Sequence, residues 1–195
     1  MSNPPGEYYT EERWQNWLGR IREEDIDAEE EDSARLLLNL QDDTAIAVAK
    51  ILTDYDDGEL DEERALSEIE DIEQIVLTEL DFENEEKAML VDGVQTSLMC
   101  VFYAAEEYIA GGPAAEGSIE EYVQAAADAE AEEEMDAALG YCVQAGTLVI
   151  DGAEMDMGMS EDLDFGFVAE WVNGLDSLQT AMSDPEVVEE EDATE

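Results

Sequence analysis

Between Ala88 and Ala105 the sequence AMLVDGVQTSLMCVFYAA holds a single charged residue, Asp92, in a chain of which 32% is charged. Such a segment has to be covered, either by the rest of the chain or by lipid. Leu90, Val94, Ser97, Leu98, Val101, Phe102, Ala105 and Ile109 recur at steps of three and four, which predicts one helix over residues 83–110, stopped by Gly111, Gly112 and Pro113. Val91, Met99, Cys100 and Tyr103 lie off that stripe, so the helix is expected to be buried on most sides, at the centre of an all-α domain. A membrane span needs about 20 predominantly apolar residues. Asp92, Gly93 and Gln95 interrupt this run and acidic turns flank it, so no membrane crossing is expected.

The other helices follow the same period. Thr10 can cap a helix with Glu11 and Glu12 in its first turn and Trp14, Trp17, Leu18 and Ile21 on one face. After the acidic linker at residues 23–32, a second helix runs over 33–55 to a stop at Gly58, and a third starts at the cap Asp61 and buries Leu66, Ile69, Ile72, Val76 and Leu80. Ser118 and Glu121 have capping-box spacing and open a fifth helix, a sixth spans 133–150, and a last one spans 161–182. The expected architecture is a single all-α bundle of about seven helices around the central one: an arm at 1–9, a helical domain at 10–183 and a disordered acidic tail at 184–195. Gly93 and Gly174 occupy matching places in the similar stretches VDGVQT and VNGLDS, 81 residues apart, and are expected to mark helix crossings, facing each other.

Charge decides what such a bundle can meet. Fifty-six acidic residues stand against seven basic ones, a formal charge of −49, yet 45% of residues are apolar, so simple disorder is not the reading. Acids decorate the polar face of nearly every predicted helix and lysine is cut to Lys50 and Lys87, a pattern favoured in a cytoplasm loaded with salt, where ~1 M electrolyte shortens the screening length to roughly 3 Å. No Lys, Arg or His follows position 87, so the second half cannot neutralise phosphates and nucleic acid is not an expected partner. MSNPPGEYYTEER shows neither the basic flank nor the apolar core of a signal peptide, and a cytoplasmic location is expected. Cys100 and Cys142 sit on apolar helical faces and read as buried thiols.

Chemistry-bearing patterns are few. The absence of His excludes His-based triads and His-ligated zinc, and CxxC, P-loop and GxGxxG motifs do not occur. TDYDDGEL at 53–60 superficially resembles a calcium loop, but Thr53 and Tyr55 fall where oxygen ligands are wanted and Arg64 stands at the place of the bidentate acid. Paired acids of the type used by Mg-dependent all-α nucleotide pyrophosphohydrolases occur as Glu23-Glu24-Asp27 and Glu132-Glu133-Asp136, with no basic cluster beside them for a triphosphate. No catalytic residue, metal or cofactor is assigned. Candidate partner contacts are Arg13, Trp14, Trp17 and Arg20 on the first helix, because Trp and Arg dominate interface hot spots, although an aromatic stripe at helical spacing more often caps its own bundle; Met155, Met157 and Met159 in the loop DGAEMDMGMS join them, because flexible Met makes adaptable surfaces or fills gaps. Asp92 and Asn173, which interrupt apolar helices, are the candidate buried polar groups: an unpaired carboxylate is rare in a core, so Asp92 is expected to face the surface, to bond a neighbour or to be functional, and Asn173 at the echoed position suggests a shared hydrogen-bonding role.

The segments EERWQNWLGRI (11–21), DSARLLLNLQDDTAIAVAKI (32–51), LVDGVQTSLMCVFYAAEEYIAGG (90–112), ALGYCVQAGTLVIDG (138–152) and EWVNGLDSLQTAMSDPEVVEEED (170–192) carry a resemblance that spans nearly the whole chain. The sequence resembles an archaeal family catalogued as domain of unknown function 2150, and is most similar to its haloarchaeal members. The resemblance implies an archaeal halophile as source, and no activity, cofactor or catalytic residue. From the residues themselves, the leading functional expectation is a non-catalytic protein-binding or scaffold protein. The alternatives are the pyrophosphohydrolase-like enzyme and a nucleic-acid mimic, whose acids would have to gather on one face at phosphate-like spacing.

Overall fold

A computed structural model describes residues 8–183 except 28, 157, 160 and 165. Among them seven helices follow one another: α1 Glu11–Glu23, α2 Glu31–Asp56, α3 Glu62–Val76, α4 Glu85–Gly111, α5 Ile119–Ala131, α6 Met135–Ile150 and α7 Phe167–Ser183. The protein is an all-α bundle. The three N-terminal caps expected from the sequence are made locally: Thr10 accepts from the Arg13 amide, Asp61 from that of Arg64, and Ser118 with Glu121 closes a reciprocal capping box. Acids stand in the first turn of every helix, where the helix dipole favours them.

The stretch 88–105 lies inside α4, which packs against α2, α3, α6 and α7. By length and composition α4 could cross a membrane; half of its most apolar window is buried within this chain. Leu98, Val101 and Phe102 are fully enclosed, as are Leu18 and Ile21 of α1 and Leu175 and Leu178 of α7. Tyr8 and Tyr9, expected in an arm, instead pack into this core. The rest of that arm and the acidic tail lie outside the described residues.

Helices α2, α4 and α7 run in one direction. Tyr55 at the end of α2 donates to the Ile109 carbonyl at the end of α4, while Gln41 early in α2 donates to Ser177 Oγ and to the Asn173 carbonyl of α7. Helix α6 shares that direction, since Cys142 neighbours Cys100 and, four residues on, Gly146 meets Ala104, so the chain must travel back along the bundle between α6 and α7. This return corrects the expected start of the last helix at 161: residues 161–164 are non-helical and α7 begins at Phe167. The Phe167 amide is bound by the Glu130 carboxylate of α5, 2.7 Å away, so this cap comes from another helix and leaves no local signal. Met155 and Gln179 exchange two hydrogen bonds that tie the returning chain to α7.

The crossing of α4 and α7 is closer than side chains allow. A Cβ added to Gly174 would lie 2.7 Å from the Ser97 carbonyl carbon and nearer still to its oxygen. Gly174 therefore marks a crossing as expected. Gly93 does not face it: one turn earlier, a Cβ there would meet Glu170 Oε1 at an ordinary 3.7 Å. Gly146 of α6 makes a second close approach, to Ala104 and Leu175.

Candidate interaction surface on the first, third and fourth helices

Helix α1 spends much of its expected docking face on its own chain. Trp14 is 1% exposed. The half-buried Trp17 donates its indole N–H to Asp43 Oδ2 of α2 at 2.9 Å, and Arg13 forks onto both oxygens of the same carboxylate, through Nε at 2.8 Å and through Nη2. Asp43 is buried, and this three-donor cradle supplies what a desolvated carboxylate needs. Arg20 lies 5.0 Å over the Trp17 ring, its guanidinium exposed and 4.0 Å from Glu24. In the second expected surface Met155 is buried, Met159 is half-buried and Met157 lies outside the described residues.

Asp92 and Asn173, the candidate buried polar groups, are both exposed, which for Asp92 is the surface-facing alternative. Each sits between two buried positions, Val91 and Val94 or Val172 and Gly174, and the 100° step of a helix turns it outward. The polar groups that α4 and α7 do bury are Ser97, whose hydroxyl returns to the Gly93 carbonyl, and Ser177, which receives Gln41. Among the paired-acid motifs, Glu23, Glu24 and Asp27 are exposed at the end of α1, and Glu132, Glu133 and Asp136 are exposed around the α5–α6 turn, where Glu133 holds a left-handed φ of 63°. In the 53–60 turn two acids are occupied by tyrosines: Tyr8 donates to Asp54 and Tyr108 to Asp56. Burial first, and then the Asp56 charge, push Tyr108 up to about 12.

Three hollows adjoin along α3 and the segment that follows it. The first, about 560 Å³, lies between Tyr9, Thr10, Glu11, Trp14 and Gln15 on one side and Asp71, Gln74, Ile75, Thr78 and Leu80 on the other. The second, about 310 Å³, shares Leu80 and adds Phe82, Met89, Val91, Asp92 and Gln95. A third shares Gln74 and Thr78 and reaches Glu70 and Glu73. Met89 is 75% exposed, and Arg22 stacks on Phe82 at 5.0 Å. Lys87 donates to the carbonyls of Arg22 and Glu24, closing α1 onto the start of α4. Sequence reading missed this surface because three separate elements build it. Leu80, expected on the buried face of the third helix, instead lies half-buried beyond the end of α3 at Val76, in the segment that also carries Phe82.

Behind the third hollow Glu73 of α3 meets Glu106 of α4. Burial raises Glu106 to about 7, and the charge of Glu73, its hydrogen bond and the charge of Glu70 add to the shift. Burial also raises Glu73, and the neighbouring Tyr103 hydroxyl is pushed upward by burial and by both carboxylates. The folded pair keeps a proton that the unfolded chain releases near the usual carboxylate value, so this contribution to stability is present in acid and is lost as pH rises through about 7. Glu106→Gln should therefore stabilise the protein at about pH 8 by about 1 kcal/mol, a figure reduced for solvent screening, and change little at about pH 5. Urea titrations at the two pH values check this, and equal stability of variant and parent at the higher pH would remove the pair as a source of pH dependence.

No curated protein and no solved structure matches the chain. A family model does match it, over residues 7–191, described as an uncharacterized protein conserved in archaea (DUF2150). That span takes in all seven helices, and the chain belongs to this archaeal family.

Proposed function

We propose that the protein is a non-catalytic protein-binding module of a salt-rich archaeal cytoplasm, and that it docks its partner along the hollows between α1, the end of α3, residues 77–84 and the start of α4. One observation carries this reading: the groove beside Trp14 passes through Leu80 into a second hollow edged by the exposed thioether of Met89. Concave, partly apolar surface of this kind is a recurring mark of recognition sites, and Met adapts to partners of different shape. The first helix enters the function by building one wall of the groove, while Trp17 and Arg13 hold that wall to α2.

A photo-crosslinking residue tests the reading when placed at position 89 and, as a control, at Leu38, which is also exposed but lies on α2. Irradiation in a molar KCl lysate should give discrete adducts from 89 that are missing from 38. The same adducts from both positions, or none from 89, would overturn the assignment.

A further inference from the structure

The chemistry lining this surface specifies an occupant more closely. We infer that it is a cationic amphipathic segment of a partner protein, seating apolar side chains over Leu80, Phe82 and Met89 and basic side chains against Asp71, Glu79 and Asp92. The inference rests on the docking reading above.

Charge complementarity points to the cation. Glu11 and Asp71 flank the first hollow, Glu79 and Asp92 the second, and all four are exposed. Arg13 pairs with Asp43, Arg20 with Glu24 and Arg64 with Glu68, none of them with these four exposed carboxylates. The described lining of the second hollow includes no basic residue: Arg22 sits over the Phe82 ring and Lys87 donates to two carbonyls of the α1 terminus. On the opposite side Asp92 adds its charge to Glu170 of α7, whose carboxyl is raised first by burial and then by that neighbour. A lysine or arginine arriving beside Asp92 relieves this repulsion; an acidic segment compounds it.

The rest of the lining points to a polypeptide. Leu80, Phe82 and Met89 offer a bare metal ion or a simple polyamine little that it can use, whereas an amphipathic segment covers them and gains by excluding water. Trp14 lines the first hollow, and its buried indole N–H has no acceptor among the described residues; backbone carbonyls are the acceptors that a peptide carries. In molar salt long-range attraction is screened to roughly 3 Å, so selectivity has to come from groups in contact.

The test uses a synthetic helical Leu/Lys peptide and its counterpart with Glu in place of Lys, titrated against the full chain in about 2 M KCl, where diffuse attraction is suppressed. The Lys peptide should bind and the Glu peptide should not. Asp92→Asn should weaken binding about fivefold and Met89→Ser about tenfold, roughly 1 to 1.4 kcal/mol. Asp136→Asn, the same charge change on α6, should leave affinity unaltered. An equal loss in the Asp136 variant would reduce the binding to diffuse attraction and overturn the inference. Equal binding of the Glu peptide, or binding of neither peptide, would also overturn it, while adducts from position 89 would still support docking at this surface.

Discussion

Replacing Gly174 by alanine is expected to destabilise the bundle by about 2 to 3 kcal/mol, although alanine is the better helix former by about 1 kcal/mol. The added methyl would lie 2.7 Å from the Ser97 carbonyl carbon, against backbone that has no rotamer to change. Relief requires α4 and α7 to separate, and α7 also meets α2 through Gln41 and α6 through Gly146, so separation loosens three interfaces together. Gly93→Ala is the matched control. It lies one turn away in the same crossing, and its methyl would have only Glu170 Oε1 at 3.7 Å for company, so the helix gain survives and stability should rise by about 1 kcal/mol. Urea midpoints of the two variants in molar KCl should move in opposite directions. A Gly174→Ala protein as stable as its parent would mean that the crossing yields easily, and the account of this interface would fail.

The same pair shows how far the sequence could be read. Helix content, the central helix and three caps follow from neighbours within four residues, and those signals survived into the structure at Thr10, Asp61 and Ser118. Gly174 was legible as a glycine that a helix would not choose for itself. The equal suspicion of Gly93 was misplaced, because only the partner helix distinguishes a glycine that is needed from one that is tolerated. Trp14 and Trp17 are a similar case. An aromatic stripe looks the same whether it awaits a partner or meets its own bundle, and what decides is Asp43, 26 residues beyond Trp17, which takes the indole N–H and the Arg13 fork. The candidate surface was least legible of all, since its walls come from α1, α3 and α4 and its shape exists only after they pack.

The largest effect is expected from salt. In about 0.1 M KCl the screening length is ~10 Å, longer than the spacing between neighbouring helix faces, and a chain of charge −49 should be unfolded or molten. Ordinary salt bridges cannot compensate, because no Lys, Arg or His follows Lys87 and the last turns of α2 to α7 carry no basic residue against the negative end of the helix dipole. The carboxylates that do find partners here use neutral donors as well: Tyr8 on Asp54, Tyr108 on Asp56, the Phe167 amide on Glu130. These bonds satisfy lone pairs but leave the net charge where it was. Dissolved cations must screen the rest, and at ~1 M they do so over roughly 3 Å, leaving apolar burial around α4 to decide the equilibrium. A cooperative transition should therefore appear, and its midpoint temperature should climb, as KCl rises towards about 3 M, followed by circular dichroism in both the far and the near ultraviolet. Sucrose, which favours compact states without screening, should recover the fold far less well than KCl. Equal rescue by sucrose would assign the effect to surface exclusion, and a melt unchanged between about 0.1 and 3 M KCl would show that the acidic surface does not oppose folding.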